Sequence, residues 1–237
     1  MTYVFTPPAT TSLPVLGSAL RFPVGRVFCL GRNYPWPQSA GPAPSELVFF
    51  MKPASNVVEA TGVLPFAPQT EEFCHEIELV AAIGQGGADI SPEQALAHVF
   101  GYAAGLDLTR RDRQREAKRD GLPWEGAKVF DAAAPMTAIV PAGQLQQPPA
   151  GDLWLRVNGD ERQRASLADQ TWPLQEVISL LSRQIPLRPG DLIMTGSPPG
   201  VDVLHPGDVI DAGIDGVSEL RLQVGPHPSR QPANDAA

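Results

Sequence analysis

Residues 74–83 read CHEIELVAAI, and this stretch decides the fold. From residue 76 to residue 81, apolar side chains stand at every second position, which is the period of a β-strand. A strand places Glu76 and Glu78 on one face, about 7 Å apart. Because the surrounding residues are apolar, both carboxylates are expected inside the protein rather than on a solvated face.

A second apolar run, GYAAGLDL at 101–108, carries Asp107. Three carboxylates on buried strands must share a cation or take up protons. Ligands that offer only oxygen favour hard ions, so the trio Glu76, Glu78 and Asp107 predicts a site for Mg²⁺ or Mn²⁺, with Ca²⁺ as a third candidate. The absence of histidine from this set argues against non-haem iron.

Six further residues are candidates for roles at the site. Lys128 lies in the apolar stretch GAKVF, where a carboxylate or a substrate anion is its expected partner. Arg111 and Gln114 follow Asp107 closely enough to face the same site. The Thr195-Gly196 turn offers a hydroxyl and amides for a substrate carboxylate, or serves as turn chemistry only. His75 borders the glutamates but points to the other face of an ideal strand, so a structural role and a role near the site both stay open.

Composition excludes several classes of protein. A net charge of −8 disfavours nucleic-acid binding, and no apolar run is long enough to span a membrane. The N-terminus lacks the pattern of a signal peptide, and Cys29 and Cys74 are interpreted as small buried residues, so a soluble cytoplasmic protein is expected. Neither GQGGAD nor TGSPPG completes a nucleotide-binding motif, and GxSxG is absent.

The rest of the chain predicts short strands with few helices. Helices are expected over 91–98, with a capping box from Ser91 to Gln94, and over 174–183. The polar segment 109–121 is interpreted as a short solvated helix or an irregular segment that ends at Gly121. Asn158-Gly159 predicts a hairpin, and Gly62 predicts another. Three segments complete the interpretation: an N-terminal arm at 1–24, a proline-rich loop or lid at 33–46, and a mobile tail at 226–237, around one catalytic domain at 25–225.

Eight segments in order resemble the fumarylacetoacetate hydrolase family, and in particular its short bacterial members, which include fumarylpyruvate hydrolases of aromatic-acid breakdown. They are GRNY (31–34), FFMKP (49–53), HEIEL (75–79), GYAAGLDLTRRDRQ (101–114), PWEGAKVFDAAAP (123–135), LRVNGD (155–160), GDLIMTGSPPGV (190–201) and LHPGDVI (204–210). Together they extend over roughly residues 25–225. The resemblance implies an α+β fold, a mixed β-sandwich roll with few helices, and a homodimer.

The resemblance also implies roles for the candidate residues. Glu76, Glu78 and Asp107 hold Mg²⁺ or Mn²⁺, and Lys128 lies near the metal and the substrate oxygens. The other substrate contacts are Arg111, Gln114 and the Thr195-Gly196 turn. The substrate is a small β-diketo or related oxo acid.

One departure from the family concerns the base that activates water. Family hydrolases carry a histidine and a glutamate on a lid shortly after GRNY, whereas this chain has no histidine before residue 75. Three hypotheses follow. The first is metal-dependent hydrolysis of a C–C bond in an acylpyruvate such as fumarylpyruvate, with water activated by the metal or by His75. The others are decarboxylation or keto–enol isomerisation of an oxo acid, and binding of an oxo acid without catalysis.

Overall fold

The computed structural model describes residues 2–35 and 45–228. The strands are β1 (Ser12–Pro14), β2 (Arg21–Pro23), β3 (Arg26–Gly31), β4 (Val48–Pro53), β5 (Val57–Glu59), β6 (Val63–Leu64), β7 (Phe73–Cys74), β8 (Ile77–Ile83), β9 (Val99–Leu106), β10 (Thr109–Arg110), β11 (Ala134–Met136), β12 (Val140–Pro141), β13 (Asp152–Val157), β14 (Asp160–Ser166), β15 (Leu192–Met194), β16 (Val209–Ile214) and β17 (Ser218–Val224). The α-helices are α1 (Pro92–Ala95), α2 (Arg111–Asp120), α3 (Glu125–Lys128) and α4 (Leu174–Gln184). Short 3₁₀ turns occupy Ala54–Asn56, Leu96–His98, Ala142–Gln144 and Leu167–Asp169.

Two sheets form the body of the fold. The larger one has eight strands in the order β4-β3-β15-β8-β9-β11-β5, with β12 paired to β9. The smaller one has five strands in the order β14-β13-β16-β17-β6. Parallel pairs such as β15–β3 occur beside antiparallel ones such as β8–β9, so the sheets are mixed. The predicted fold class, mainly β with few helices in a mixed sandwich roll, is confirmed.

The strand β8 separates two apolar clusters because its side chains alternate between its faces. Ile77 and Leu79 point into the cluster that the two sheets share with α4. Val80 and Ala82 point into a smaller cluster on the opposite face. Glu78 lies on the same face of β8 as Val80 and Ala82. The trio of carboxylates therefore belongs to the face that does not pack on the five-stranded sheet.

The N-terminal hairpin contributes to the second cluster. β1 and β2 pair with each other, and their residues Leu13 and Phe22 are buried there. The segment predicted as an arm is therefore laid against the larger sheet. Residues 36–44 of the predicted lid and residues 229–237 of the predicted tail lie outside the described residues.

Several local predictions are confirmed. The hairpin at Asn158-Gly159 joins β13 to β14, and both turn residues have positive φ, as a type I′ turn requires. The polar helix α2 ends at Gly121, whose φ of 66° closes the helix. In α4 the buried residues Leu174, Val177, Ile178 and Leu181 follow the helical period. Cys29 and Cys74 are buried and free.

Two local predictions are wrong. The strands on either side of Gly62 do not pair: β5 joins β11 and β6 joins β17, in different sheets. At Ser91 the backbone is extended as an N-cap requires, but no side-chain capping bond forms. Only Pro92–Ala95 is α-helical, and Leu96–His98 tightens to a 3₁₀ turn.

Among the helices that the structure describes, none combines the length and hydropathy needed to cross a lipid bilayer.

Candidate metal centre

The pairing of β8 with β9 brings the three carboxylates together. Glu76 directly precedes β8, Glu78 is its second residue, and Asp107 directly follows β9. The two strands are antiparallel, with Ile77 opposite Leu106, and the Asp107 amide donates a hydrogen bond to the Glu76 carbonyl at 2.8 Å. Each carboxylate offers one oxygen, and these three atoms lie within 4.8 Å of one another. All three side chains are buried.

Lys128, the last residue of α3, inserts its ammonium group between two of these carboxylates. Its Nζ donates hydrogen bonds to Glu76 Oε2 at 2.7 Å and to Asp107 Oδ2 at 2.6 Å. A third bond goes to Thr109 Oγ1 at 2.7 Å. Burial by itself lowers the pKa of Lys128, but Asp107 and Glu76 outweigh it and raise that pKa above its ordinary value. The ammonium therefore stays charged and acts as a hydrogen-bond donor, not as a base.

A second buried lysine, Lys52, was missed by the sequence analysis. It lies on β4, and its Nζ is 3.0 Å from Asp107 Oδ1 and 3.3 Å from the Leu108 carbonyl. It also donates a hydrogen bond to the Lys128 carbonyl. The residue stands in the quoted segment FFMKP, and its position in an apolar strand, like that of Lys128, was the signal that could have identified it.

The electrostatic balance of the centre leaves room for a cation. Burial raises the pKa of Glu76, and it raises the pKa of Glu78 strongly, with further increases from the charges of Asp107 and Glu76. Burial also disfavours the charged form of Asp107, but Lys128 and Lys52 outweigh this and lower its pKa. Two glutamates thus lack full compensation, which is the condition that a divalent ion relieves.

The donor set fits a hard divalent ion. Asp107 Oδ1 is buried, and although Lys52 Nζ lies 3.0 Å away in an ion pair, this oxygen has no assigned hydrogen bond among the described residues. The three side chains offer carboxylate oxygen only, which Mg²⁺ and Mn²⁺ prefer. Glu76, Glu78 and Asp107 can therefore hold the predicted ion.

The Thr195-Gly196 turn supports the centre from the end of β15. The Gly196 amide donates a hydrogen bond to Glu78 Oε2 at 2.6 Å. Gly196 has a φ of +93°, and a Cβ at this position would lie 2.8 Å from the Cβ of Asn33, so only glycine fits without displacement. Thr195 donates its hydroxyl proton to the Leu79 carbonyl at 3.1 Å, and that hydroxyl accepts a bond from Gln170. Thr195 and Gly196 thus fill the structural role in the turn that the sequence analysis offered as one of two alternatives.

Arg111 and Gln114 lie at the start of α2 and face the trio. Arg111 Nη1 donates to Gln114 Oε1 at 2.6 Å and is 3.5 Å from Glu76 Oε1. Gln114 is buried, whereas about 28% of the Arg111 side chain remains exposed. The guanidinium therefore stands at the edge of the centre, oriented by an amide and attracted by a ligand carboxylate.

His75 is buried, and its hydrogen bond to Gln163 leads away from the trio. Its Nδ1 lies 2.9 Å from Gln163 Oε1. The same oxygen accepts a bond from the Ile77 amide, so it is an acceptor and Nδ1 carries the proton. Nε2 is buried without a partner among the described residues. Burial lowers the pKa of His75, so the ring is neutral at neutral pH.

Gln163 connects the two backbone segments that carry the glutamates. Its Oε1 binds the strand at His75 and Ile77, on both sides of Glu76. Its Nε2 donates at 2.8 Å to Ser197 Oγ and to the Pro198 carbonyl, next to the turn that binds Glu78. No local pattern in the sequence identifies this residue, because its partners lie 34 to 88 positions away.

Comparison with known proteins agrees with this geometry. A model of the family described as fumarylacetoacetate (FAA) hydrolase C-terminal matches residues 26–225. The chain is 38% identical over 200 residues to Oxaloacetate tautomerase FAHD1, mitochondrial, of Mus musculus, covering 84% of this chain and 90% of the relative. It is 39% identical over 179 residues to Fumarylpyruvate hydrolase of Ralstonia sp, covering 75% and 92%.

A solved structure has the same fold over nearly the whole chain. The fumarylpyruvate hydrolase from Pseudomonas aeruginosa, crystallised in complex with Mn²⁺ and pyruvate, superposes with a TM-score of 0.89 at 43% identity. The match covers 95% of this chain and 100% of the other.

Proposed function

The chain belongs to the fumarylacetoacetate hydrolase family, and on that premise we propose that it hydrolyses a carbon–carbon bond in an acylpyruvate such as fumarylpyruvate, with Mg²⁺ or Mn²⁺ bound by Glu76, Glu78 and Asp107. The observation that carries the proposal is the buried trio of carboxylates with a protonated lysine hydrogen-bonded between two of them. The likeness to a fumarylpyruvate hydrolase with Mn²⁺ and pyruvate supports both the ion and the substrate class.

A divalent ion held by Glu76, Glu78 and Asp107 would supply a Lewis acid for the oxo-acid oxygens of the substrate. The three protons of the Lys128 ammonium are donated to Glu76, Asp107 and Thr109, so its buried positive charge, rather than a further hydrogen bond, stabilises the substrate oxygen on which negative charge develops. Arg111, oriented by Gln114, binds the substrate carboxylate at the edge of the centre. The Gly196 amide and Gln163 keep Glu78 in place, and this reduces the freedom of the ligand set.

The base that activates water is the open part of this mechanism. Lys128 is protonated, and His75 is hydrogen-bonded to Gln163 rather than to the trio. Isomerisation of an oxo acid requires no attacking water, and two observations favour it as a second candidate: the missing histidine before residue 75 and the likeness to oxaloacetate tautomerases at 36–38% identity. Decarboxylation of oxaloacetate belongs to the same candidate.

One assay separates these candidates. Purified protein with Mn²⁺ is given fumarylpyruvate, acetylpyruvate, and oxaloacetate in its keto and enol forms. We expect stoichiometric fumarate and pyruvate from the first substrate. Conversion of enol to keto oxaloacetate without cleavage of either acylpyruvate would refute the hydrolase proposal and indicate a tautomerase. Release of carbon dioxide from oxaloacetate would indicate a decarboxylase instead. Binding without turnover of any substrate would indicate a binding protein. The homodimer also stays a prediction, which sedimentation equilibrium tests.

A further inference from the structure

One face of α2 continues outward from the metal centre. Arg111, Gln114 and Lys118 are spaced i, i+3 and i+7, so they lie along the same side of the helix. The first two face the trio, because Arg111 contacts Glu76 and Gln114 is buried beside it. With a rise of about 1.5 Å per residue, Lys118 lies about 10 Å farther along the helix axis than Arg111.

An aromatic wall joins Lys118 to the centre. Lys118 Nζ lies 5.0 Å from the ring of Trp124, and Trp124 packs against Phe50 with a centroid separation of 6.0 Å. The ring of Phe50 in turn lies 5.0 Å from Lys128 Nζ. The two ammonium groups thus sit on neighbouring rings, Lys128 at the buried end of the wall and Lys118 at its exposed end.

Lys118 has no carboxylate partner in an ion pair among the described residues. Among the described residues, the other cations of α2 each have a carboxylate partner: Arg111 has Glu76, Arg113 has Glu116, Arg115 has Glu72, and Arg119 has Asp120. No described carboxylate forms an ion pair with Lys118. Partial burial lowers the pKa of Lys118, and the nearby charges of Arg111, Lys128 and Arg32 lower it further, although the charge of Glu76 opposes them. Like charges gathered in this way are stabilised by a bound anion.

We propose that Lys118, held on the face of Trp124, binds the distal carboxylate of an extended dicarboxylic oxo acid whose oxo-acid end lies at the carboxylate trio. This inference rests on the proposed function for the position of the oxo-acid end. It adds a selectivity: acylpyruvates that end in a carboxylate, such as fumarylpyruvate, bind more tightly than those with a neutral tail, such as acetylpyruvate.

The test uses two ligands that differ only at the distal end, 2-oxohexanedioate and 2-oxohexanoate, titrated by calorimetry into Mn²⁺-loaded protein. We expect the diacid to bind about fivefold more tightly than the monoacid at low salt, as an exposed ion pair on an aromatic platform allows, and the preference to shrink as salt is added. Lys118→Met keeps the aliphatic stem on Trp124 and should remove the preference. The neighbouring Arg119→Met, which removes an exposed cation of the same helix, should retain the preference.

The inference is overturned if the wild type binds both ligands equally, or if Lys118→Met and Arg119→Met show the same preference as the wild type. An equal weakening of both ligands in Lys118→Met also overturns it, because the preference for the diacid then persists without the ammonium. These results do not depend on cleavage. The absence of acylpyruvate hydrolysis in the wild type would refute the proposed reaction, whereas the ratio of the two affinities decides the role of Lys118.

Discussion

Replacement of Lys128 by methionine should cost stability in a manner that depends on metal. The ammonium is 2% exposed and donates three hydrogen bonds, two of them to carboxylates. Removing one partner of a buried ion pair costs about 3–5 kcal/mol, because the remaining charges lose their compensation. We expect this loss in the free energy of unfolding when the protein is kept in chelator.

Saturating Mn²⁺ should recover most of that loss. The ion neutralises Glu76 and Asp107 from the other side, so the remaining deficit is the hydrogen bonding that Lys128 supplied, about 1–2 kcal/mol. The affinity for Mn²⁺ should stay equal or rise, because an ammonium that repels the ion has been removed. Turnover should fall on the order of 100-fold or more, since the positive charge that stabilises the developing oxyanion is lost.

Urea unfolding followed by tryptophan fluorescence, in chelator and in Mn²⁺, measures these free energies. The matched control is Lys118→Met, the same substitution at an exposed lysine, which should change stability by less than about 1 kcal/mol in both conditions. An equal deficit for Lys128→Met with and without Mn²⁺ would show that the lysine does not compensate the ligand carboxylates. Loss of Mn²⁺ binding in this variant would refute the reasoning as well.

Three further predictions concern the support of the centre. Gln163→Leu, which keeps the volume but breaks four hydrogen bonds, should weaken Mn²⁺ binding by about 10- to 100-fold in a titration, and an unchanged affinity would remove Gln163 from the support of the ligands. Gly196→Ala should lower the free energy of unfolding by about 3 kcal/mol, against about 1 kcal/mol for Gly216→Ala, since both have positive φ but only the first position is crowded; equal losses in chemical denaturation would contradict this. In chelator, the free energy of unfolding should fall as pH rises above about 4.5, the ordinary pKa of a glutamate. Burial raises the pKa of Glu78, so above this pH the folded chain keeps a proton that the unfolded chain has lost. Glu78→Gln should remove that part of the slope when unfolding is measured from pH 4 to 8, and an unchanged slope would assign it to other groups.

The alternation of residues was sufficient to predict the trio of carboxylates. A period of two with apolar flanks placed Glu76 and Glu78 on one buried face, and Asp107 occupied the same kind of position at the end of the next strand. Lys128 was accessible by the same argument, because a charge in an apolar segment requires a partner. These inferences succeeded since they depended on neighbours within a few residues.

Features that depend on distant pairing could not be predicted. The hairpin expected at Gly62 is absent because β5 and β6 join different sheets, and local composition does not specify a strand's partner. Lys52 reaches Asp107 only after β4 has joined the sheet through β3. Gln163 likewise acquires its role from partners on two other segments.

The central claim is that three buried acidic side chains share one divalent ion, and a manganese titration followed by electron paramagnetic resonance tests it most directly. The wild type should take up one Mn²⁺ per chain. The nearly isosteric Glu78→Gln should lose this uptake, while Glu219→Gln, at an exposed acid, should keep it. Retention of one tightly bound Mn²⁺ per chain by Glu78→Gln, or no uptake by the wild type, would contradict the account.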